Sequence, residues 1–358
     1  MVALADTTAA SRAMTDRGQL ARWVMLGLAA ALILLCGFSL FVGATGVSPV
    51  ALMIDLIAGR DIDLRARVVI MDIRLPRLAL GLLVGASLAV SGVVMQGLFR
   101  NPLADPGLVG VSAGAGLGAI LAIVLGGLLP SALGAAMGYA LVPIAAFVGG
   151  WLSVMALYTV ATRGGHTSVA TMLLAGIALA ALVGAVSGIL IYLADDAQLR
   201  TLTFWGLGSL AGATWGKVLA AAPLMLIGIV GAPLLARGLN GLALGEATAR
   251  HMGLDVQRLK RLAVLLVAAA VGAAVAVSGG IGFVGIVVPH LLRLSTGPDH
   301  RFLLINAALL GAIILIVADM IARVIVAPAE LPIGIVMAII GGPFFLWILL
   351  RRRGILEM

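Results

Sequence analysis

A chain of 358 residues with 62% hydrophobic and only 11% charged side chains, a formal net charge of +8 and a mean hydropathy of +1.20 has too little polar surface to clothe a water-facing globule. Apolar runs near the ~20 residues that cross a bilayer recur along its length, which excludes the ~10-residue alternation of an outer-membrane barrel and leaves one polytopic helical domain. The single Cys36 excludes an intrachain disulfide, a cysteine-built metal site and a dithiol redox pair.

The first apolar run, 22–43, follows a polar stretch, 1–21, and is too long for a typical signal-peptide core. It reads as a retained first span behind an N-terminal tail. The sequence IRLPR, 73–77, then puts Pro76 in the opening turn of a second span, 77–98. Arg74 and Arg77 share a face if that turn is helical, yet cations at a helix N-terminus oppose the macrodipole at about 0.3–1 kcal/mol each. Snorkelling to the interface and an acidic partner approaching from outside both account for them. Before a third span, 107–128, RNPLADPG (100–107) carries two prolines and a glycine that set a rigid turn and a defined start for the next helix. An ordinary tight loop and part of a gate are both compatible with it. A fourth span, 138–162, a fifth, 168–192, and a sixth, 215–236, follow.

The stretch LALGEATARHMGLDV, 242–256, is too polar to span a bilayer. Glu246 and Arg250, four apart, support a short helix bracketed by Gly245 and Gly253. It reads either as a solvated loop helix or as a place where something cytoplasmic docks. A seventh span, 259–278, precedes a short eighth, 282–295, where Pro289 predicts a broken or partly re-entrant helix with its freed backbone groups buried in protein. The ninth, 302–322, ends beside Arg323, which the dipole favours and which has Asp319 four residues earlier; structural duty suffices for it. A tenth, 333–350, leads into a basic tail, 351–358.

Ten spans place both termini on one side. With the N-terminus inside, interior segments hold 15 of the 23 Lys and Arg, and the net charge is +8 inside and zero outside, the sense the positive-inside rule requires. Both termini are therefore expected in the cytoplasm, and the basic balance reflects topology and anionic lipid, with no nucleic acid needed.

Several chemical patterns fail on context. Gly280, Gly282 and Gly285 have G-x-G-x-x-G spacing but follow an apolar helix instead of a strand, so close helix packing accounts for them. GATWGKV around Lys217 has one residue too few between its glycines and Val218 where a magnesium-binding Ser or Thr belongs, so no ATP-binding P-loop is expected. His166, His251, His290 and His300 offer neither H-E-x-x-H nor a pair at metal spacing, and no metal site is expected; for His290 a capping or packing hydrogen bond is the expected role. An intramembrane hydrolase built from Ser87 or Ser91 with His290 has no motif behind it. An ion-coupled secondary transporter, the main alternative, would need more intramembrane ionisable residues than Asp319 near a span end.

Taken together, IRLPR (73–77), GASLAVSGVVMQGLFRNPLADPGLVGVSAGAG (85–116), LLAGIAL (173–179), LALGEATARHMGLDV (242–256), GGIGFVGIVVPHLLRLSTGPDHRFLL (279–304) and ADMIAR...ELPIG (318–334) run in order across nearly the whole chain. Through them the chain resembles the FecCD-type permeases, the membrane subunits of ATP-binding-cassette importers for cobalamin, ferric siderophores and haem. The resemblance implies an all-α fold with ten transmembrane helices per subunit and a homodimer with the pathway on its two-fold axis. It also implies two cytoplasmic ATPase subunits, a periplasmic substrate-binding protein and a place in the bacterial inner membrane. By the same likeness 242–256 is the coupling segment that sits in a cleft on the ATPase, through Leu244, Gly245, Glu246, Ala249, Arg250 and Gly253. Arg74, Arg77 and Arg323 match positions that meet acidic residues of the binding protein. Asn101 and Leu103 match the cytoplasmic gate, and Ser168 with Val169 align with the other gate segment. No cofactor is implied in this chain, ATP and magnesium belonging to the ATPase subunits, and overall likeness to haem permeases points to haem ahead of a ferric siderophore or cobalamin.

Overall fold

The computed structural model describes residues 3–43, 46–59, 63–130, 137–164 and 166–356; the outer ends of the two expected tails, 1–2 and 357–358, lie outside these. Its helices are α1 (Ala3–Ser39), α2 (Pro49–Ile57), α3 (Leu64–Phe99), α4 (Val111–Leu125), α5 (Leu141–Ala161), α6 (Val169–Leu193) and α7 (Asp196–Gly206). They continue with α8 (Trp215–Ala243), α9 (Glu246–His251), α10 (Val256–Ser278), α11 (Val284–Thr296), α12 (His300–Val324) and α13 (Ile333–Leu356). Among the described residues the only strands are Thr162–Arg163 and His166–Thr167, an antiparallel pair with Thr162 opposite Thr167. Among the described residues eight helices are long and apolar enough to cross a membrane, and α11 and the stretch Ile333–Ile348 of α13 are shorter apolar helices. Each of the ten expected spans thus falls on a helix of an all-α polytopic membrane protein.

The bundle is organised around α3 and α10. Their most apolar windows are 78% and 72% buried, against 22% for α6, so α6 keeps most of its surface for lipid or a partner. α12 packs along α3, α4 along α5, and α1 along α12. Hydrocarbon gives helices no hydrophobic drive to associate in lipid, so close backbone approach carries the packing. A Cβ on Gly118 of α4 would lie 2.0 Å from the Ala145 carbonyl oxygen of α5, and one on Gly85 of α3 would lie 2.4 Å from the Gly311 oxygen of α12.

Three local expectations are corrected. The second span does not open at Pro76: α3 begins at Leu64, capped by Asp63, and passes through a π-helical stretch, Val68–Arg74, into Pro76. Proline cannot donate to the preceding turn. Widening to i→i+5 spacing absorbs that defect, and the carbonyl five residues back, Met71, accepts the Trp215 indole N–H at 2.8 Å. Nor does Pro289 break the eighth span, because α11 is continuous across it. The carbonyl that Pro289 leaves unpaired four residues earlier, on Gly285, is taken by Gln96 Nε2 at 3.1 Å, and Gln96 Oε1 accepts from Arg293.

The third correction concerns RNPLADPG. After Arg100 (φ +49°) the chain folds back along α3. A Cβ on Gly285 would sit 3.1 Å from Pro106 Cδ and 3.2 Å from the Leu88 oxygen, and one on Gly92 would run into the Gly285 backbone. Pro106 therefore stands beside the middle of α3, and α4 starts inside the bundle. Gly285 accordingly serves close packing, while Gly282 has nothing within 4 Å and belongs to the open loop before α11.

Candidate coupling, gate and docking sites

At the interior end α8 finishes at Ala243, and Gly245, at φ +107°, makes a bend that favours glycine. α9 runs to His251, and Gly253, at φ +80°, turns the chain toward α10, whose cap Asp255 accepts the Arg258 N–H at 2.9 Å. Ala249 is fully buried and its carbonyl accepts the Leu254 N–H, so α9 is pinned by its inner face. Its outer side carries Leu244 and Met252, 65% and 58% exposed, next to the exposed Arg250. Apolar side chains beside a cation on a membrane protein's aqueous end are the chemistry of a docking patch. Met252 was not singled out by sequence; its only signal was lying between His251 and Gly253 in the polar stretch.

Glu246 meets Arg250 at 3.4 Å, as their spacing predicts, but its shorter contact, 2.7 Å, is to Lys260 Nζ of α10. Lys260 is buried, and its ammonium also donates to the Thr167 carbonyl at 2.9 Å. Gln257 accepts the Thr167 N–H at 2.8 Å. Thr167 ends the two-residue hairpin, and the next residue, Ser168, caps α6 by accepting the Thr171 N–H at 3.2 Å. Val169, half-buried, is the first residue of α6 and packs on the core. Direct contacts therefore run from α9 through Lys260 to the corner from which α6 starts. A buried ammonium is tolerable only while such partners hold it.

In the folded-back turn, Asn101 Oδ1 accepts the Leu103 N–H at 2.9 Å, a side-chain mimic of a backbone turn. Asn101 is exposed and Leu103 half-buried. Asp105 accepts the Gly107 N–H at 2.8 Å and opens a short 3-10 turn, Pro106–Val109, that packs on α6. Ser153 then donates to the Gly110 carbonyl at 2.7 Å. Asp105 and Ser112 line a cavity of about 200 Å³ together with Gly280 and Ile281 of the loop before α11. Sequence alone put Asp105 in an interior loop; the fold-back carries it into the bundle. The two segments expected to form a gate are joined through α6, on which the Pro106–Val109 turn packs and which Ser168 caps.

At the opposite end Arg74, Arg77 and Arg323 are all buried. Arg77 Nε and Nη2 lie 2.9 Å from Asp319 Oδ1, and its Nη1 lies 2.8 Å from Glu330. Arg323 pairs with the same Asp319 and donates to Ser39 Oγ at 2.9 Å and to the Ser39 and Val42 carbonyls at 3.3 and 3.2 Å. Arg74 donates to the Leu40 and Val47 carbonyls. Cations thus sit at the C-terminal end of α1, where the dipole welcomes them; the opposition to α3's dipole expected from the sequence does not arise, because α3 starts ten residues earlier than Arg74. Glu330, the half-exposed member of this cluster, escaped the sequence reading because it lies across a loop from every other member.

The profile of the FecCD transport family matches residues 31–351. The chain is 48% identical over 290 residues, 79% of its length and 83% of the relative's, to the hemin transport system permease protein HmuU of Yersinia pestis. It is 41% identical over 333 residues, 92% of its length and 95% of the relative's, to the vitamin B12 import system permease protein BtuC of Salmonella typhi. A solved structure described as an inward-facing conformation of a metal-chelate type ABC transporter superposes with a TM-score of 0.79 at 33% identity, covering 90% of this chain and 97% of that one.

Proposed function

Because the chain belongs to the FecCD transport family, we propose that it is the membrane-spanning permease of an ATP-driven importer that takes a bulky metal chelate, haem first, from a periplasmic binding protein to the cytoplasm. It works in the bacterial inner membrane as a homodimer with the pathway on the two-fold axis and two ATPase subunits on the cytoplasmic face. ATP and magnesium are bound by those subunits, and this chain carries out no covalent chemistry. The hemin permease relative supports haem; the vitamin B12 permease relative keeps a corrinoid next, with a ferric siderophore.

The observation that carries the reading is the path from α9 to α6. The exposed patch of Leu244, Arg250 and Met252 offers an ATPase cleft something to grip. ATP-driven closure moves α9, Glu246 carries Lys260 with it, and Lys260 pulls the Thr167–Ser168 corner. α6 then tilts, and the Asn101–Leu103 turn follows through the Pro106–Val109 segment packed on it. Only contacts that differ between the two states can transmit work in this way. Outside, a carboxylate of the loaded binding protein displaces Glu330 from Arg77, and Arg74 and Arg323 complete the docking face.

The ion-coupled alternative is disfavoured at Asp319, whose oxygens are taken by two guanidiniums and so offer no open carboxylate to a coupling ion there. The test is uptake of labelled haem by vesicles holding this chain with its ATPase and binding protein. ATP-dependent accumulation supports the proposal; uptake driven by an ion gradient without the ATPase overturns it, and ATP-dependent uptake of another chelate changes only the cargo.

A further inference from the structure

α5 and α8 each pack along α10 without forming a packed pair with one another. A trough therefore runs between them. Its floor is small, with Ala273 and Ala276 of α10 beside Ala221 of α8, and Phe147 and Leu224 stand as walls. Through Pro143, Ala276 and Val277, which line both spaces, the trough opens at its outer end into a cavity of about 550 Å³.

The cavity's chemistry is different. Arg200 of α7 and Lys217 of α8 line it beside Tyr139 and Trp205. Lys217 gives one donor to the Gly212 carbonyl at 2.8 Å, and Arg200 stands 5.9 Å over the Phe204 ring. Neither makes an ion pair among the described residues. They stand where α5 and α8 begin and α10 ends, on the side that the charge distribution places outside, and Tyr139 is 97% exposed there. Aromatic side chains at a helix end mark the headgroup level of a bilayer.

Two cations without carboxylate partners at headgroup level, continuous with an apolar trough at acyl-chain depth, match one kind of occupant. We propose that this is a binding site for an anionic phospholipid of the outer leaflet, its phosphate between Arg200 and Lys217 and an acyl chain lying in the α5–α8 trough. A lipid held only as bulk annulus would need the trough but neither cation. A free anion would need the cations but not the trough.

The test is native mass spectrometry of the full chain released from nanodiscs containing equal phosphatidylglycerol and phosphatidylcholine. The wild-type chain should retain phosphatidylglycerol about tenfold more than phosphatidylcholine. Arg200→Gln with Lys217→Gln should abolish that preference, and Ala220→Trp, at an exposed position lining the trough, should reduce phosphatidylglycerol retention with both cations intact. Equal retention of the two lipids by the wild-type chain, or unchanged retention in both variants with unaltered thermal unfolding, overturns the proposal. Competition by sn-glycerol phosphate as strong as that of the lipid overturns it too, because the affinity would then lie in the phosphate alone.

Discussion

Arg77 and Asp319 are 242 positions apart in sequence and 2.9 Å apart in the fold. Both are buried, and Arg323 shares the same carboxylate. The cluster ties α3, α12 and the end of α1 into one unit at the outer face. Removing the shared acid leaves two buried guanidiniums short of a counter-charge. Asp319→Asn should therefore destabilise the chain by about 3–5 kcal/mol, read as a lower thermal midpoint in detergent, and Asp319→Asn combined with Arg77→Met should recover part of the loss. A single variant as stable as wild type would show that the cluster is not held as described.

On the proposed function, docking at this face is a competition for Arg77. Glu330 is its half-exposed partner, and Arg77 itself is buried, so Glu330 is the acid that an incoming carboxylate would have to replace. Glu330→Gln should strengthen binding of the loaded binding protein by roughly two- to fivefold at low ionic strength, with the gain shrinking as salt rises. Equilibrium titration of the two proteins checks it, and an unchanged or weaker affinity contradicts Arg77 as the docking cation.

Leu244 and Met252 are exposed at the ends of α9, so changing them should leave folding alone, within about 0.5 kcal/mol. Leu244→Asp with Met252→Asp should nevertheless reduce co-purification of the ATPase subunits about tenfold or more. Retention at the wild-type level would mean that the ATPase grips elsewhere.

Gln96 replaces the hydrogen bond that Pro289 cannot make to Gly285. Gln96→Leu should cost about 1–3 kcal/mol by leaving a buried carbonyl unsatisfied. In a Pro289→Ala background the helix supplies its own donor, and the same change should cost less. Equal losses in both backgrounds, measured as a double-mutant cycle, would remove Gln96 from that role.

What could be read from sequence was local. Apolar runs marked the spans, and four-residue spacing marked Glu246–Arg250 and Asp319–Arg323, both of which form. What could not be read depends on partners distant in the chain. Lys260 entered the sequence reading only as one interior charge, yet it joins Glu246 to Thr167, which lies 93 positions from Lys260. The two prolines misled for the same reason: a proline is a helix opener or breaker only when nothing else meets the carbonyl it leaves, and here Trp215 and Gln96 do. Asp105 was placed in a loop because no pattern in RNPLADPG says that the loop turns inward.

The central claim is that α9 drives α6 through Lys260, and the direct measurement is haem transported per ATP hydrolysed by the complete importer in vesicles, for Lys260→Met and Lys260→Arg beside the wild-type chain. Lys260→Met should assemble with its ATPase and hydrolyse ATP, yet transport about tenfold less per ATP, within the range of typical coupling energies; Lys260→Arg, which keeps the charge, should recover much of it. A Lys260→Met importer that transports at the wild-type ratio would contradict the account.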